Sequence, residues 1–384
     1  MPTVATILFS LIAFLWIVQG VRAGIGMSKI PRLSQAAPAT DDALPRMSIL
    51  FAARDEAEKL PAALQSLLLL NYPDYEIIAV DDRSQDATAR ILDEFARTNS
   101  RLKVAHIAEL PYGWLGKPHA LQAGYELASG EWFVFTDADV RFSPDLLRRA
   151  YALARRESWD HLTLLTALEL HGFWETATVA YLGLGFVMGF QPWRVSDPKS
   201  GSYFGVGAFQ LVRRAAYEAI GMHRKLAMEV VDDIKLGKLI KLGGFRSGLA
   251  ASETFVQLRW QDGFSNLVRG LMKNLFAGFR FRVFDAAISV VAVFTISILP
   301  FIAVWFVHGA ARIACIISAL VAVALEGRLV RETHKSPLYG LSHPIGAAVF
   351  IYMVVRSVFV TLRRGGIVWR ETFYPLDELR KGMV

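Results

Sequence analysis

The 384 residues are 53% apolar and 20% charged, against roughly 45–50% and about 25% in ordinary soluble domains. That excludes a disordered chain, and a single cysteine, Cys315, excludes a disulfide scaffold and a cysteine-built zinc site. The net charge of +7 comes without a block of five or six basic residues, which favours a membrane surface or an anionic small molecule over nucleic acid.

Residues 1–21 carry no charge, and Val4–Val21 is long enough to span a bilayer. No Lys or Arg precedes this run, so residues 1–25 read as an uncleaved anchor rather than a signal peptide. Arg22, Lys29 and Arg32 follow before any acidic residue, which places the next segment in the cytoplasm.

Residues 46–260 alternate short apolar runs with helical spacing. Met47–Phe51, Glu76–Val80, Leu102–Ile107 and Trp132–Thr136 read as buried strands, and Glu56–Leu70, Ala87–Arg97 and His119–Ala128 as helices. This order predicts a parallel α/β sheet with helices on both faces and ligands beyond the carboxyl ends of its strands. Those ends are acidic: Asp55 and Glu56 after the first strand, Asp81-Asp82 after the second, Asp137 and Asp139 after the fourth. Alternation puts Asp137 and Asp139 on one face, and hard oxygen ligands of this kind suit Mg²⁺ or Mn²⁺ held together with substrate phosphates. Neither a Gly-x-Gly-x-x-Gly nor a P-loop motif accompanies them.

Thr176–Gln191 is uncharged but short for a span. If it crossed the bilayer, Asp139 and Asp233 would lie on opposite sides, so it reads as interfacial or acceptor-facing. Within residues 261–283, Phe264, Leu267, Leu271, Leu275 and Phe279 share one helical face accompanied by Arg269, Lys273, Arg280 and Arg282, the pattern of an in-plane amphipathic helix. Residues 284–384 form an apolar region with a basic tail. Ala286–Ala311 is a strong span and Ile313–Leu325 a short one. Pro344–Leu362, which contains Arg356, is the candidate for a re-entrant segment, because three crossings would leave the basic tail outside.

The segments SILFAARDE, IIAVDDRSQDAT, GWLGKPHALQAG, FTDADV and VVDDIKLGKLIKLGG, in that order across residues 47–244, resemble those of family 2 inverting glycosyltransferases with a GT-A fold, a Rossmann-like mixed sheet. The flanking spans resemble membrane enzymes that glycosylate lipids, such as ceramide glucosyltransferases and hopene-associated or carotenoid glycosyltransferases, and GIVWRETFYPLDELR resembles the closing motif of the latter. The resemblance implies that Asp81, with Asp82 beside it, contacts the base or ribose of a nucleotide-diphosphate sugar, in a pocket lined by Ala53, Arg54 and Glu56. It implies that Asp137 contacts ribose or sugar and shares the metal with Asp139, that Lys117 faces phosphate, and that Arg259 and Trp260 meet the leaving diphosphate and an acceptor ring. The catalytic base falls at Asp233, the second acid of Asp232-Asp233. Val256 stands where a processive synthase carries Gln or Arg, so the expected reaction adds one sugar to a membrane lipid at the cytoplasmic face. Polyprenyl-phosphate glycosyltransferases, processive polysaccharide synthases and a non-catalytic membrane scaffold are the competing readings. His223 reads as a surface-loop residue.

Overall fold

The computed structural model describes residues 2–41, 44–260 and 262–384. Met1 and Gln261, the first residues of the expected anchor and interfacial segment, lie outside the described residues. The chain begins with α1 (Pro2–Met27), β1 (Met47–Ala53), α2 (Leu60–Leu68), β2 (Tyr75–Asp82), α3 (Thr88–Thr98), β3 (Leu102–Ile107), α4 (Gly116–Leu127) and β4 (Trp132–Asp137). It continues with β5 (Arg141–Phe142), α5 (Leu146–Glu157), β6 (His161–Leu168), α6 (Phe173–Phe190), β7 (Gln210–Arg213), α7 (Arg214–Ala219), α8 (Asp232–Leu242) and β8 (Ser247–Leu258). It closes with α9 (Phe264–Gly278), α10 (Val283–Val293), α11 (Leu299–Ala303), α12 (Gly309–Arg331), α13 (His343–Arg364), β9 (Gly366–Trp369), β10 (Thr372–Pro375) and α14 (Leu376–Lys381).

Two compact units result, one of residues 30–168, 192–259 and 377–384, the other of residues 1–29, 169–191 and 260–376. The first carries an eight-stranded sheet in the order β3-β2-β1-β4-β7-β6-β8-β5. Strands β3, β2, β1 and β4 are parallel, and the inner three are mostly apolar and buried on both faces, while β3 at the edge is half-buried or exposed along most of its length. β1 and β2 are buried along almost their whole length. Beyond β4 the sheet is mixed, because β7 enters antiparallel between β4 and β6, while β6 and β8 run parallel. The core joins Leu50, Ile78, Val80, Phe133 and Phe135 of the strands to Leu121 of α4 and Leu236 and Ile240 of α8.

Several local expectations shift for physical reasons. α2 begins at Leu60 rather than Glu56, because the backbone N–H groups of Asp55, Glu56 and Ala57 are taken by Ser84, Thr88 and Asp86. α4 begins at Gly116 rather than His119, with Pro118 in its first turn, where a missing N–H is tolerated. His223 is not in a surface loop. It is buried against Tyr217, whose hydroxyl lies 2.5 Å from its Nδ1.

The second unit is helical. Five of its helices are long and apolar enough to cross a membrane: Thr3–Met27, Phe173–Arg194, Val283–Ala303, Gly309–Arg331 and Pro337–Arg364. The run expected as one span over Ala286–Ala311 is a candidate span over Val283–Ala303, made of α10, a π-helical turn at Phe294–Ile298 and α11, and it ends earlier than expected, at a break before α12. Trp16 donates to the Ile296 carbonyl at this turn (3.1 Å), and Ala303 and Ala314 pack with α1 in one apolar cluster. The expected short span Ile313–Leu325 lies inside the longer α12. Leu267 and Leu271 of α9 are buried, and α9 packs along α13, with the Phe276 N–H donating to Ser357 Oγ at 3.2 Å; the apolar face read as in-plane is thus partly covered by protein.

β6, before α6, and β7, after it, pair in one sheet. Residues 377–384 belong to the unit that carries this sheet. Gly382 packs tightly on Met228, Glu378 accepts from the Tyr112 hydroxyl (3.0 Å), and Lys235 is bonded to the Val384 carbonyl.

Candidate active site

The carboxyl ends of β1 and β2 are tied to each other by their own loops. Asp55 Oδ1 accepts from the Gln85 N–H (2.7 Å), Ser84 Oγ accepts from Asp55 N–H (3.1 Å), and Thr88 Oγ1 accepts from Glu56 N–H (2.9 Å). Asp55 and Arg83 hold positive φ at 54° and 57°, so both loops turn sharply at the strand ends. Inside this mesh Asp81 and Asp82 are buried at the end of β2. Asp81 Oδ1 accepts from Ser84 N–H (3.2 Å). The Arg83 guanidinium grips Asp82 with two bonds, 2.7 and 3.1 Å, and Arg54 stands 4.0 Å from it. Gly116 is required here, since a Cβ would fall 2.2 Å from Asp82 Oδ2. Ala53 is buried beside Asp81 in the β1–β2 register, and Glu56 is half-buried.

At the end of β4, Lys117 from α4 donates to Asp137 Oδ1 at 2.5 Å. Burial opposes the charge on Lys117, but Asp137, Asp232 and Asp233 together push its pKa up, so it remains an ammonium. Asp139 sits 3.7 Å from Lys59. Burial, then the charges of Asp137 and Glu56, push its carboxyl up to about 6, against the partial relief of Lys59.

The first turn of α8 faces this pair. Asp233 Oδ2 accepts from Gly207 N–H (3.0 Å) and its Oδ1 from Ile234 N–H (2.8 Å). Burial drives its pKa up, with Lys117 pulling the other way. Glycines make the approach possible. A Cβ on Gly205 would lie 1.9 Å from the Asp233 carbonyl, and one on Gly237 would lie 2.1 Å from the Phe204 carbonyl. A Cβ on Gly207 would meet Asp137 Oδ2 at 2.8 Å and both Asp233 Oδ2 and Lys117 Nζ at 3.4 Å. Asp232 is buried in the same turn.

The structure therefore gathers Lys117, Asp137 and Asp233 around Gly207, and sets Asp81, Asp82 and Arg54 together in the adjacent loops. Arg259 and Trp260 stand half-buried just past the end of β8. Sequence reasoning did not single out Gly205, Gly207, Lys59 or Arg83. The small-residue run Gly205-Val206-Gly207-Ala208 was the available signal.

Residues 48–221 match the family described as Glycosyl transferase family 2, and this segment is a family 2 glycosyltransferase domain. Its fold is shared with a mannosyltransferase from Pyrobaculum calidifontis, solved in complex with GDP-Man and Mn²⁺, at a TM-score of 0.57 and 18% identity over 92% of this chain and 99% of that one. Among curated proteins, the chain is similar to a beta-monoglucosyldiacylglycerol synthase from Trichormus variabilis, 32% identical over 46% of this chain and 38% of the relative. It is also similar to an undecaprenyl-phosphate 4-deoxy-4-formamido-L-arabinose transferase from Proteus mirabilis, 30% identical over 32% of this chain and 37% of the relative. The chain thus spans about two fifths of the length of these relatives.

Proposed function

We propose that the protein is a membrane glycosyltransferase that moves one sugar, with inversion, from a nucleotide-diphosphate donor to a hydroxyl of a membrane lipid. The observation that carries this reading is Asp233. It is a half-buried carboxylate whose ionisation desolvation discourages, fixed by two backbone N–H groups beside the Lys117–Asp137 pair rather than within the loops that hold Asp81 and Asp82. A group so placed is suited to take the proton of an attacking hydroxyl. A phosphate acceptor, as in the undecaprenyl-phosphate relative, has no such proton to give up.

The remaining roles follow from position. Asp81 receives the base or ribose, with Asp82, Ala53, Arg54 and Glu56 around it. Lys117 neutralises phosphate or positions the sugar, and Asp137 contacts ribose or sugar. Asp232 supports the base from the same turn, and Arg259 and Trp260 serve the leaving diphosphate and the acceptor. Asp137 and Asp139 would hold Mg²⁺ or Mn²⁺. No group of three or more metal-binding side chains occurs among the described residues, which suits a cation shared with donor phosphates. Burial first, and then the charges of Asp137 and Glu56, raise the Asp139 carboxyl, and a cation held by Asp137 and Asp139 would offset the repulsion between them. When bound, such an ion offsets charge on the leaving diphosphate.

The lipid acceptor is supported by the apolar helices, whose exposed faces suit a bilayer. Arg22, Lys29 and Arg32 favour a cytoplasmic catalytic unit, where sugar nucleotides are made. The tail shares that side, so two of the three C-terminal candidate helices cross and one returns. Val256, buried in β8 opposite Phe142, supports a single addition. Membranes containing the protein, incubated with a panel of labelled sugar nucleotides, are expected to yield a lipid heavier by one hexose on mass spectrometry of the extract. Long glycan chains, or free sugar alone, would refute the reading.

A further inference from the structure

Behind Asp81 lie two residues, His106 and Asp93, that the roles above do not use. β2 and β3 pair in parallel with Asp81 opposite His106. His106 Nδ1 is 3.0 Å from Asp81 Oδ2, and its Nε2 is 3.1 Å from Asp93 Oδ1 on α3. Ionised carboxylates only accept hydrogen bonds. With both ring nitrogens protonated, His106 can donate to both carboxylates at once, as an imidazolium between them. Because β3 is the edge strand, no further strand flanks the ring. The charged groups facing it are Asp81 from β2 and Asp93 from α3, while Lys103 of its own strand turns to Glu76 at 2.7 Å. The hydrogen bond from Asp81 raises the pKa of His106, burial works against it, and Asp93 adds to the rise.

We infer that His106 is a positioning residue for donor recognition: as an imidazolium bridging Asp93 and Asp81, it fixes the Asp81 carboxylate in the orientation that receives the nucleotide. This rests on the reading of Asp81 as a donor contact. With Oδ1 held by Ser84 N–H and Oδ2 by His106, the carboxylate is restrained at both oxygens and keeps its remaining lone pairs for the ligand. A neutral imidazole has one N–H. It then bonds either Asp81 or Asp93 and turns a lone pair toward the other, so Asp81 loses its restraint. The sign follows. His106 holds its proton more strongly in the folded protein than in a free peptide, so the arrangement is intact at low pH and is lost as pH rises through the raised pKa.

The test uses the full chain in detergent and the binding of UDP and of GDP, each with Mn²⁺, by calorimetry from pH 5.5 to 8.5. The wild type is expected to lose about tenfold in affinity for whichever diphosphate it binds as His106 deprotonates, the loss of one charge-assisted bond. His106→Gln should bind at the weak, high-pH level throughout, with no step, and keep its kcat at saturating donor. Asp93→Asn, remote from the donor, should keep the step but move it to lower pH, because one of the two carboxylates that stabilise the imidazolium is gone. A purely structural role would not move the step. Diphosphate binding with the same pH profile in wild type and His106→Gln would overturn the inference and leave the donor site standing. Wild type that binds neither diphosphate at any pH would overturn both.

Discussion

The two halves of the candidate site are built by different means. Around Asp81 and Asp82, side chains hold side chains and backbone: Arg83 on Asp82, Asp55 on Gln85, Thr88 on Glu56. Around Asp233, backbone presses on backbone at Gly205 and Gly237, and Gly207 stands tight against the side chains of Asp137, Asp233 and Lys117. A mesh of hydrogen bonds degrades by steps when one member is removed. A steric fit fails at once, because a close-packed contact has no intermediate position. Ligand affinity should therefore be graded by changes on the first half, and turnover should be interrupted by changes on the second.

The largest effect is expected at the junction of the halves. Asp139→Ala should lower turnover by roughly 10³ or more, since Asp139 would hold the cation that offsets charge developing on the leaving group, and metal-dependent donor affinity should fall with it. Retained activity in chelator would remove the metal from the account. Next comes Gly207→Ala. Its Cβ would meet Asp137 Oδ2 at 2.8 Å, so a shift of some tenths of an ångström between Asp137, Lys117 and Asp233 should cost about 10² in kcat. The melting temperature should change little, because Gly207 does not occupy the left-handed region. Equal kcat in this variant would mean that the two halves are not sterically coupled. Smaller still, Arg83→Gln should raise donor KM by about tenfold with kcat preserved, as two bonds to Asp82 are lost.

The smallest effect concerns stability rather than catalysis. Glu76 is buried on β2, and burial opposes its charge. Lys103, the Ser129 N–H and the Ser48 and Ser129 hydroxyls overcome this and hold its pKa at about 2. A depressed carboxyl stabilises the fold above its unfolded pKa and stops doing so as pH falls through the folded value. Stability should thus decline between about pH 4.5 and 2, by roughly 1–3 kcal/mol from this group. Glu76→Gln should be less stable at pH 7 and flatter across that acid range in a denaturation series.

How far the sequence could be read follows the same division. The three inner parallel strands and their charged ends were legible, because two-sided burial writes continuous apolar runs, and those of β1, β2 and β4 stop at Arg54, Asp81 and Asp137. The pairing of β7, β6 and β8 was not, since a mixed sheet depends on which distant strands meet, and no local pattern encodes that. His223 was misplaced because an isolated histidine after Gly221-Met222 looks like a loop, whereas Tyr217 supplies its partner from six residues back. The part played by Gly207 was hidden for a related reason. A glycine that is needed for the volume it leaves empty carries no chemical signature of its own. The packing of Gly382 on Met228 was likewise not legible, since nothing local in the sequence pairs residues so far apart.

The central claim is that Asp233 serves the acceptor and not the donor, and one variant tests it directly. Asp233→Asn keeps the shape and, through its one amide oxygen, one of the two backbone N–H bonds, while removing the basic group. Donor affinity and sugar transfer to lipid should be measured on the same preparation. The account predicts donor binding within about threefold of wild type, with transfer reduced by roughly 10²–10⁴, the usual contribution of a positioned base. A variant that transfers sugar at the wild-type rate would contradict it and turn the mechanism toward an acceptor that needs no deprotonation.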